Sequence, residues 1–369
     1  MKAAVFIERL RPLSVREYPD LPPAPGQAVV DLETSGVCGT DVHIWEGAIP
    51  FEGPMILGHE MLGRVRALGD GPAFDCLGAP LRPGNRVAVN VIEPCGECAL
   101  CRSGGAASCL KLASTLTYTR SPEEPPHLHG GWAEANHSPI RYLQGAPEDV
   151  PAEVLAAFLC AGPTVVRGLA YAGGVAPGER VVVQGSGPVG LFAALYAKRL
   201  GAAHVILIGS GAHPARLPLA RDLGADEVHD FRATTEEERK AAVAAATGGI
   251  GADLAIECSG APEAAVEGLH LLRLRGRAVW AGQYSNRGTV AMPPHLITFN
   301  ALQVFGSAQF TAEDRAEYFR FLRSVPDAWP AIARVVTHRF PVDRASEAVA
   351  TARSGAAIKA VLTREQGAV

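Results

Sequence analysis

The densest chemistry in the sequence lies in its cysteines. Cys95, Cys98, Cys101 and Cys109 follow the spacing Cys-x2-Cys-x2-Cys-x7-Cys. Four thiolates this close along the chain can wrap one ion and complete the tetrahedral shell of Zn2+. Such a closed shell is structural, because no position is left for a substrate. Disulfides and chance spacing are the plain alternatives, but crowding into one segment suits a metal better than a disulfide framework. An iron–sulfur cluster fits less well. Its bacterial motif continues x3-Cys-Pro, whereas here the fourth Cys lies further on and Leu110 follows it. A second constellation is dispersed: Cys38, Thr40, Asp41 and His43, then His59-Glu60, then Cys160. Alone, each has an ordinary reading, a buried small thiol or a satisfied polar histidine. Together, two thiolates and one imidazole with a fourth position open make a catalytic zinc set.

A third motif is Gly185-Ser186-Gly187-Pro188-Val189-Gly190, directly after the apolar run Val181-Val182-Val183. Between a strand and a helix this is a dinucleotide fingerprint. Gly185 permits the tight turn, Gly187 lets backbone approach a pyrophosphate, and Gly190 lets helix and strand pack. The helix N-terminus that begins at Pro188 and Val189 faces the phosphates. The fingerprint usually places an acid about 20 residues on, to hold the ribose diol. Here the second strand ends Ile208-Gly209-Ser210-Gly211, and the next acid, Asp222, falls inside the following helix. That removes both the diol acceptor and a charge that would repel a 2′-phosphate. Ser210 can donate to such a phosphate, with Arg216 a weaker candidate, so the balance between NAD and NADP tips slightly to NADP.

These residues need two kinds of scaffold. A chain of 369 residues suits two domains. The first 150 residues carry short apolar runs broken by Gly and Pro, such as 29–33 and 86–89, which predicts a β-rich, barrel-like lobe. After about residue 152, strands at 180–184, 205–208, 254–258 and 277–281 alternate with helices at 189–200, 217–223 and 263–274. That alternation predicts a doubly wound parallel sheet. The tail 357–362 reads as a strand returning to the first lobe. The expected division is therefore a discontinuous β-rich domain, 1–155 and 301–369, with an α/β unit, 156–300, inserted in it.

Composition excludes other classes. With 34 basic and 38 acidic residues the formal charge is −4, so no basic surface for nucleic acid is expected. The hydrophobic fraction of 48% and charged fraction of 20% are those of a globular protein. No apolar run approaches the roughly 20 residues that span a bilayer. The opening, Met1-Lys2-Ala3-Ala4-Val5-Phe6-Ile7-Glu8, reads as a strand rather than a signal peptide, so the expected location is the cytoplasm.

The order of the motifs resembles the zinc-dependent medium-chain alcohol dehydrogenases. It runs through Gly36-Val37-Cys38-Gly39-Thr40-Asp41-Val42-His43, Gly58-His59-Glu60, the four-Cys lobe, Cys160-Ala161-Gly162-Pro163-Thr164 and Gly185–Gly190. Gly130–Glu134, Leu223–Asp226 and Ala357–Val361 add to a likeness that spans nearly the whole chain. The resemblance implies a GroES-like catalytic domain plus a Rossmann domain, α/β in class. It also implies two zinc ions per chain and hydride transfer between an alcohol and NAD(P)+. By the same likeness Cys38, His59 and Cys160 hold the catalytic zinc, and Glu60 lies close behind the metal. Asp41 orients His59, and Thr40 with His43 forms a proton path. Thr164, the fingerprint residues and Ser210 meet the cofactor. A homodimer or tetramer acting on a small alcohol or carbonyl follows too. The rivals are a zinc-free quinone or enone reductase, a non-catalytic zinc- and nucleotide-binding protein, and a lyase or epimerase that borrows the nicotinamide. Trp45, Phe51, Trp132 and Phe299 are candidate pocket walls. Cys76, in a stretch 66–86 longer than usual, and Cys258 read as structural. His127 and His129, in the polar loop 119–129, could form a further metal site.

Overall fold

The computed structural model describes residues 1–91, 94–111, 117–211 and 213–364. The chain divides into two compact units. The first comprises Met1–Cys160, Thr311–Pro326 and Val336–Val369; the second comprises Ala161–Phe310 and Asp327–Val335.

The first unit is built on a mostly antiparallel sheet. Its strands run Val336–Pro341, Lys359–Thr363, Gln27–Val37, Met61–Leu68, Arg86–Val89 and Leu143–Gly145, with Ala135–Pro139 also pairing Gln27–Val37. The tail strand pairs antiparallel to Gln27–Val37, with Ala360 opposite Val37. A smaller sheet joins Lys2–Phe6 to Ser14–Glu17 and Met55–Ile56. In Gln27–Val37 the burial is continuous from Ala28 to Val30, alternates through Asp31, Leu32 and Glu33, and is continuous again from Thr34 to Val37. Partner strands flank it on both edges there, and Trp132, Leu57 and Met61, all fully buried, belong to the same core. At about 1.5–3 kcal/mol for each large apolar side chain removed from water, this core is the main stabiliser of the strand end that leads into Cys38.

The second unit is a six-stranded, all-parallel sheet. Its strand order is Glu227–Asp230, His204–Gly209, Arg180–Gln184, Ala252–Glu257, Leu272–Trp280 and Gln303–Gly306. In chain order this is 3-2-1-4-5-6, the doubly wound arrangement whose ligands bind beyond the carboxyl ends of the strands. Val181, Val182 and Val183 are wholly buried, as expected of a strand covered on both faces. One expected boundary is corrected. The helix placed at 263–274 is Pro262–His270, and the next strand begins at Leu272. The apolar spacing of Leu269, Leu271 and Leu272 reads as helix, but Leu272 pairs with Ala252 where both strands begin, a contact local periodicity cannot reveal. Among the described residues no helix is long and apolar enough to cross a membrane.

Candidate active site

Cys38 ends the long strand and caps the helix Gly39–Glu46. Its backbone N–H donates to Asp41 Oδ2 at 2.9 Å, while Asp41 Oδ1 lies 3.2 Å from His59 Nδ1. One carboxylate, only 1% exposed, thus fixes the loop of one candidate ligand and the ring of another. A histidine whose Nδ1 proton goes to a carboxylate presents Nε2 as its ligand atom. Cys160 follows the helix Ala152–Ala157. Ligand atoms of Cys38, His59, Glu60 and Cys160 all lie within 4.8 Å of one another.

The ionisable atoms of this group act strongly on one another. The hydrogen bond from Cys160 holds the Cys38 thiol well below its ordinary range against the cost of burial, with help from His59. The same bond and burial push Cys160 well up. Burial opposes a charge on His59, yet Asp41 and Cys38 hold its pKa well above normal. A thiolate, a second thiol and a carboxylate-backed imidazole, half-buried and close together, form a donor set that suits divalent zinc.

Glu60 is held from behind. Its Oε2 pairs with Lys359 Nζ from the tail strand, and both side chains are buried. Burial lifts the Glu60 carboxyl to about 7, and Lys359 restrains it from going higher. The pair fills the space beside Gly36: a Cβ there would sit 2.0 Å from Glu60 Oε2 and 2.8 Å from Lys359 Cε. Lys359 is a site residue the motifs do not reveal. Its signals are a lysine at the start of the apolar run Ala360–Leu362 and its place in the Ala357–Val361 stretch of the family likeness. Thr40 Oγ1 lies 3.9 Å from Cys38 Sγ. His43 stands three residues further along the same helix, the spacing that makes helical neighbours.

The four-Cys segment also converges, its sulfurs within 4.8 Å of one another. All eight cysteines are free, so no disulfide competes. Backbone N–H groups point at the sulfurs: Cys98 N to Cys95 Sγ at 3.4 Å, Cys101 N to Cys98 Sγ at 3.5 Å, and Cys95 N and Lys111 N to Cys109 Sγ, each at 3.4 Å. The backbone donors from Cys101 and Leu110 lower Cys98 to about 6, whereas desolvation and Cys98 raise Cys101 to about 12. This too is a set of sulfurs primed for a cation.

Other expected site residues fall elsewhere. His127 stacks on Tyr18, ring centres 5.4 Å apart, and its Nδ1 bonds the Pro122 carbonyl oxygen. His129 is buried and pushed down to about 4 by desolvation and then by the Arg120 charge. Among the described residues, neither belongs to a convergent group of three or more ligands. Trp132 is not a pocket wall. It is fully buried, and a Cβ on Gly58, whose φ is +93°, would meet its ring at 2.3 Å, so it buttresses the turn before His59. Phe299 is 82% exposed. Trp45 and Phe51 pack against the core of the first unit.

The fingerprint turn has the expected division of labour. Gly185 takes φ +121°, and a Cβ there would strike the Cys258 and Ser259 backbone at 2.9–3.0 Å. A Cβ on Gly190 would lie 1.9 Å from Gly185 O, the close helix–strand approach. At Gly187 nothing lies within 4 Å, which leaves room for a ligand. Gly187 caps the helix Pro188–Arg199, with Pro188 at its start and Val189 in its first turn. Ser210 follows the strand His204–Gly209. Ser186 Oγ donates to Ser210 O at 2.9 Å and accepts from Ser210 N at 3.0 Å. Arg216 begins the next helix, and burial lowers its pKa. Thr164 lies within the helix Ala161–Tyr171.

Comparison with known proteins agrees over the whole length. The family described as Alcohol dehydrogenase GroES-like domain matches residues 24–148, and Zinc-binding dehydrogenase matches 188–324. The chain is 36% identical to 5-exo-hydroxycamphor dehydrogenase of Pseudomonas putida, over 98% of each protein. It superposes on an alcohol dehydrogenase from Thermotoga maritima with a TM-score of 0.92 at 30% identity, covering 99% of both chains. A zinc-binding dehydrogenase from Sinorhizobium meliloti 1021, bound to NADP, matches with a TM-score of 0.79 at 25% identity, covering 98% of both. The chain belongs to the zinc-dependent alcohol dehydrogenases of the medium-chain dehydrogenase/reductase family, NAD(P)-linked oxidoreductases of alcohols and their carbonyl products.

Proposed function

We propose that the enzyme oxidises a secondary alcohol to a ketone, with one zinc at Cys38, His59 and Cys160 and a second, structural zinc at Cys95, Cys98, Cys101 and Cys109. The observation that carries this reading is the convergence of half-buried Cys38, His59 and Cys160 and buried Glu60 within 4.8 Å. The secondary alcohol is taken from the relative that acts on 5-exo-hydroxycamphor. When bound, zinc supplies Lewis acidity that acidifies an alcohol hydroxyl or polarises a carbonyl, and the nicotinamide supplies the two-electron redox couple.

The chain's own residues do the rest. Asp41 keeps His59 in one tautomer and orientation, so the ligand set is preorganised. Thr40, beside Cys38, accepts the proton released from the substrate hydroxyl and passes it toward His43, an imidazole that can carry a proton. Lys359 keeps Glu60 at the metal-side position while its carboxylate is available as a transient ligand. Gly185, Gly187, Pro188, Val189 and Gly190 receive the pyrophosphate, with Thr164 a further cofactor contact. Ser210 faces the adenosine ribose and accepts NADP as well as NAD, NADP slightly better. A homodimer or tetramer in the cytoplasm completes the reading, and eight free thiols fit a reducing compartment.

A panel assay tests it. Absorbance of the reduced cofactor is followed with NAD+ and NADP+ against primary, secondary and cyclic alcohols, alongside elemental analysis. Turnover of secondary alcohols with two zinc ions per chain is expected. Turnover confined to enones or quinones would overturn the proposal.

A further inference from the structure

The strand His204–Gly209 carries no acid at its end, but the neighbouring strand does. Glu227–Asp230 pairs parallel to it, with Asp230 directly opposite Gly209. Phe231 N donates to Gly209 O at 3.1 Å, which ties the two carboxyl ends together. The Asp230 side chain leans across this junction toward Gly211. A Cβ on Gly211 would lie 2.6 Å from Asp230 Oδ2, so the missing side chain at 211 is what gives the carboxylate its place. Asp230 Oδ1 accepts from Arg232 N at 3.0 Å, and among the described residues no hydrogen bond is present at Oδ2. Asp230 is half-buried, and the adjoining chain is fixed by the two Ser186–Ser210 hydrogen bonds.

We infer that Asp230 supplies, from the third strand, the acid that the second strand lacks: its Oδ2 accepts a hydrogen bond from the adenosine ribose diol of NAD, and its charge repels the 2′-phosphate of NADP. The inference rests on the reading that the dinucleotide lies on the Gly185–Gly190 turn with its ribose toward Ser210. Two adjacent groups then act in opposite directions on one position. The Ser210 hydroxyl favours a phosphate as a donor, whereas the Asp230 carboxylate disfavours it as a like charge. Weak discrimination between the cofactors is the consequence, and Asp230 is the residue that restrains the preference for NADP.

Fluorescence titration with NADH and NADPH, without alcohol substrate, tests this on the wild type, Asp230→Asn and Asp230→Ser. Asn keeps an oxygen for Arg232 N, and Ser is the fallback should Asn fail to fold. In the variants, binding of NADPH relative to NADH is expected to rise about tenfold or more, with NADH weakened and NADPH strengthened. Steady-state assays should show the same shift in KM with little change in kcat. A ratio within about twofold of wild type in a folded variant overturns the inference, as does an equal weakening of both cofactors. Wild-type protein that binds neither cofactor would instead overturn the underlying reading of the turn.

Discussion

In the Cys95–Cys109 lobe, four sulfurs come from one short run of chain, and that run's own backbone N–H groups point at them. Three of those cysteines are half-buried, with only Cys109 buried. At the Cys38 centre the ligands come from three separated stretches. They are brought together by a strand end, a helix cap and a carboxylate that bridges two of them. Behind it stands a buried ion pair whose lysine belongs to the tail. On the proposed assignment of a structural zinc, the lobe shapes its site by local geometry and should depend on that ion to stay folded. The centre depends on the whole first unit for its shape, so losing its ion should cost chemistry and leave the fold.

The widest separation between the two should come from Cys98→Ser. Structural zinc contributes on the order of 10 kcal/mol to small zinc-bound folds, so opening the lobe should lower Tm by about 10 °C or more and release one zinc per chain. Calorimetry with metal analysis measures both, and an unchanged Tm would remove the contrast. At the centre, Thr40→Ala should lower kcat by about 10²–10⁴-fold with Tm unchanged, whereas Thr40→Ser should be mild and His43→Gln intermediate with an altered pH profile. A deuterium isotope effect on alcohol oxidation identifies whether chemistry limits the rate. Near-normal kcat in Thr40→Ala under that condition would exclude the relay.

Lys359→Met leaves Glu60 buried without its partner, and should cost about 3–5 kcal/mol in urea unfolding, while Lys359→Arg retains most of the stability. Equal losses in the two variants would show that shape rather than charge is at stake. The smallest effect belongs to the histidine loop. His129 is buried near pKa 4, whereas in the unfolded chain it titrates near 6.5. Between these values the unfolded state binds the extra proton. The contribution is therefore whole above about pH 6.5 and lost as the pH falls toward 4, about 3 kcal/mol at most. His129→Gln should flatten that acid limb in denaturation curves between pH 7 and 4. An acid limb identical to wild type would contradict the assignment.

What the sequence made legible follows the same division. The four-Cys spacing and the fingerprint turn are local, so residue order alone located Cys95, Cys98, Cys101, Cys109 and Gly185–Gly190. The dispersed set needed the family resemblance to bring Cys38, His59 and Cys160 together. Lys359 and Asp230 were invisible as site residues. Each reaches its place by strand pairing with a distant or neighbouring segment, and nothing in the local pattern names the partner. Trp132 was misjudged as a pocket wall because an aromatic near a site motif gives no sign of which face it takes.

The most direct test of the contrast is a paired measurement on His59→Ala: zinc content and turnover, with circular dichroism and Tm as the control for folding. One zinc per chain, a Tm within about 5 °C of wild type and kcat/KM down by about 10³-fold or more are expected, since the imidazole ligand that Asp41 orients is lost. Full activity in a variant that holds a single zinc, or two zinc ions retained with activity abolished, would contradict the assignment of Cys38, His59 and Cys160 as the catalytic metal site.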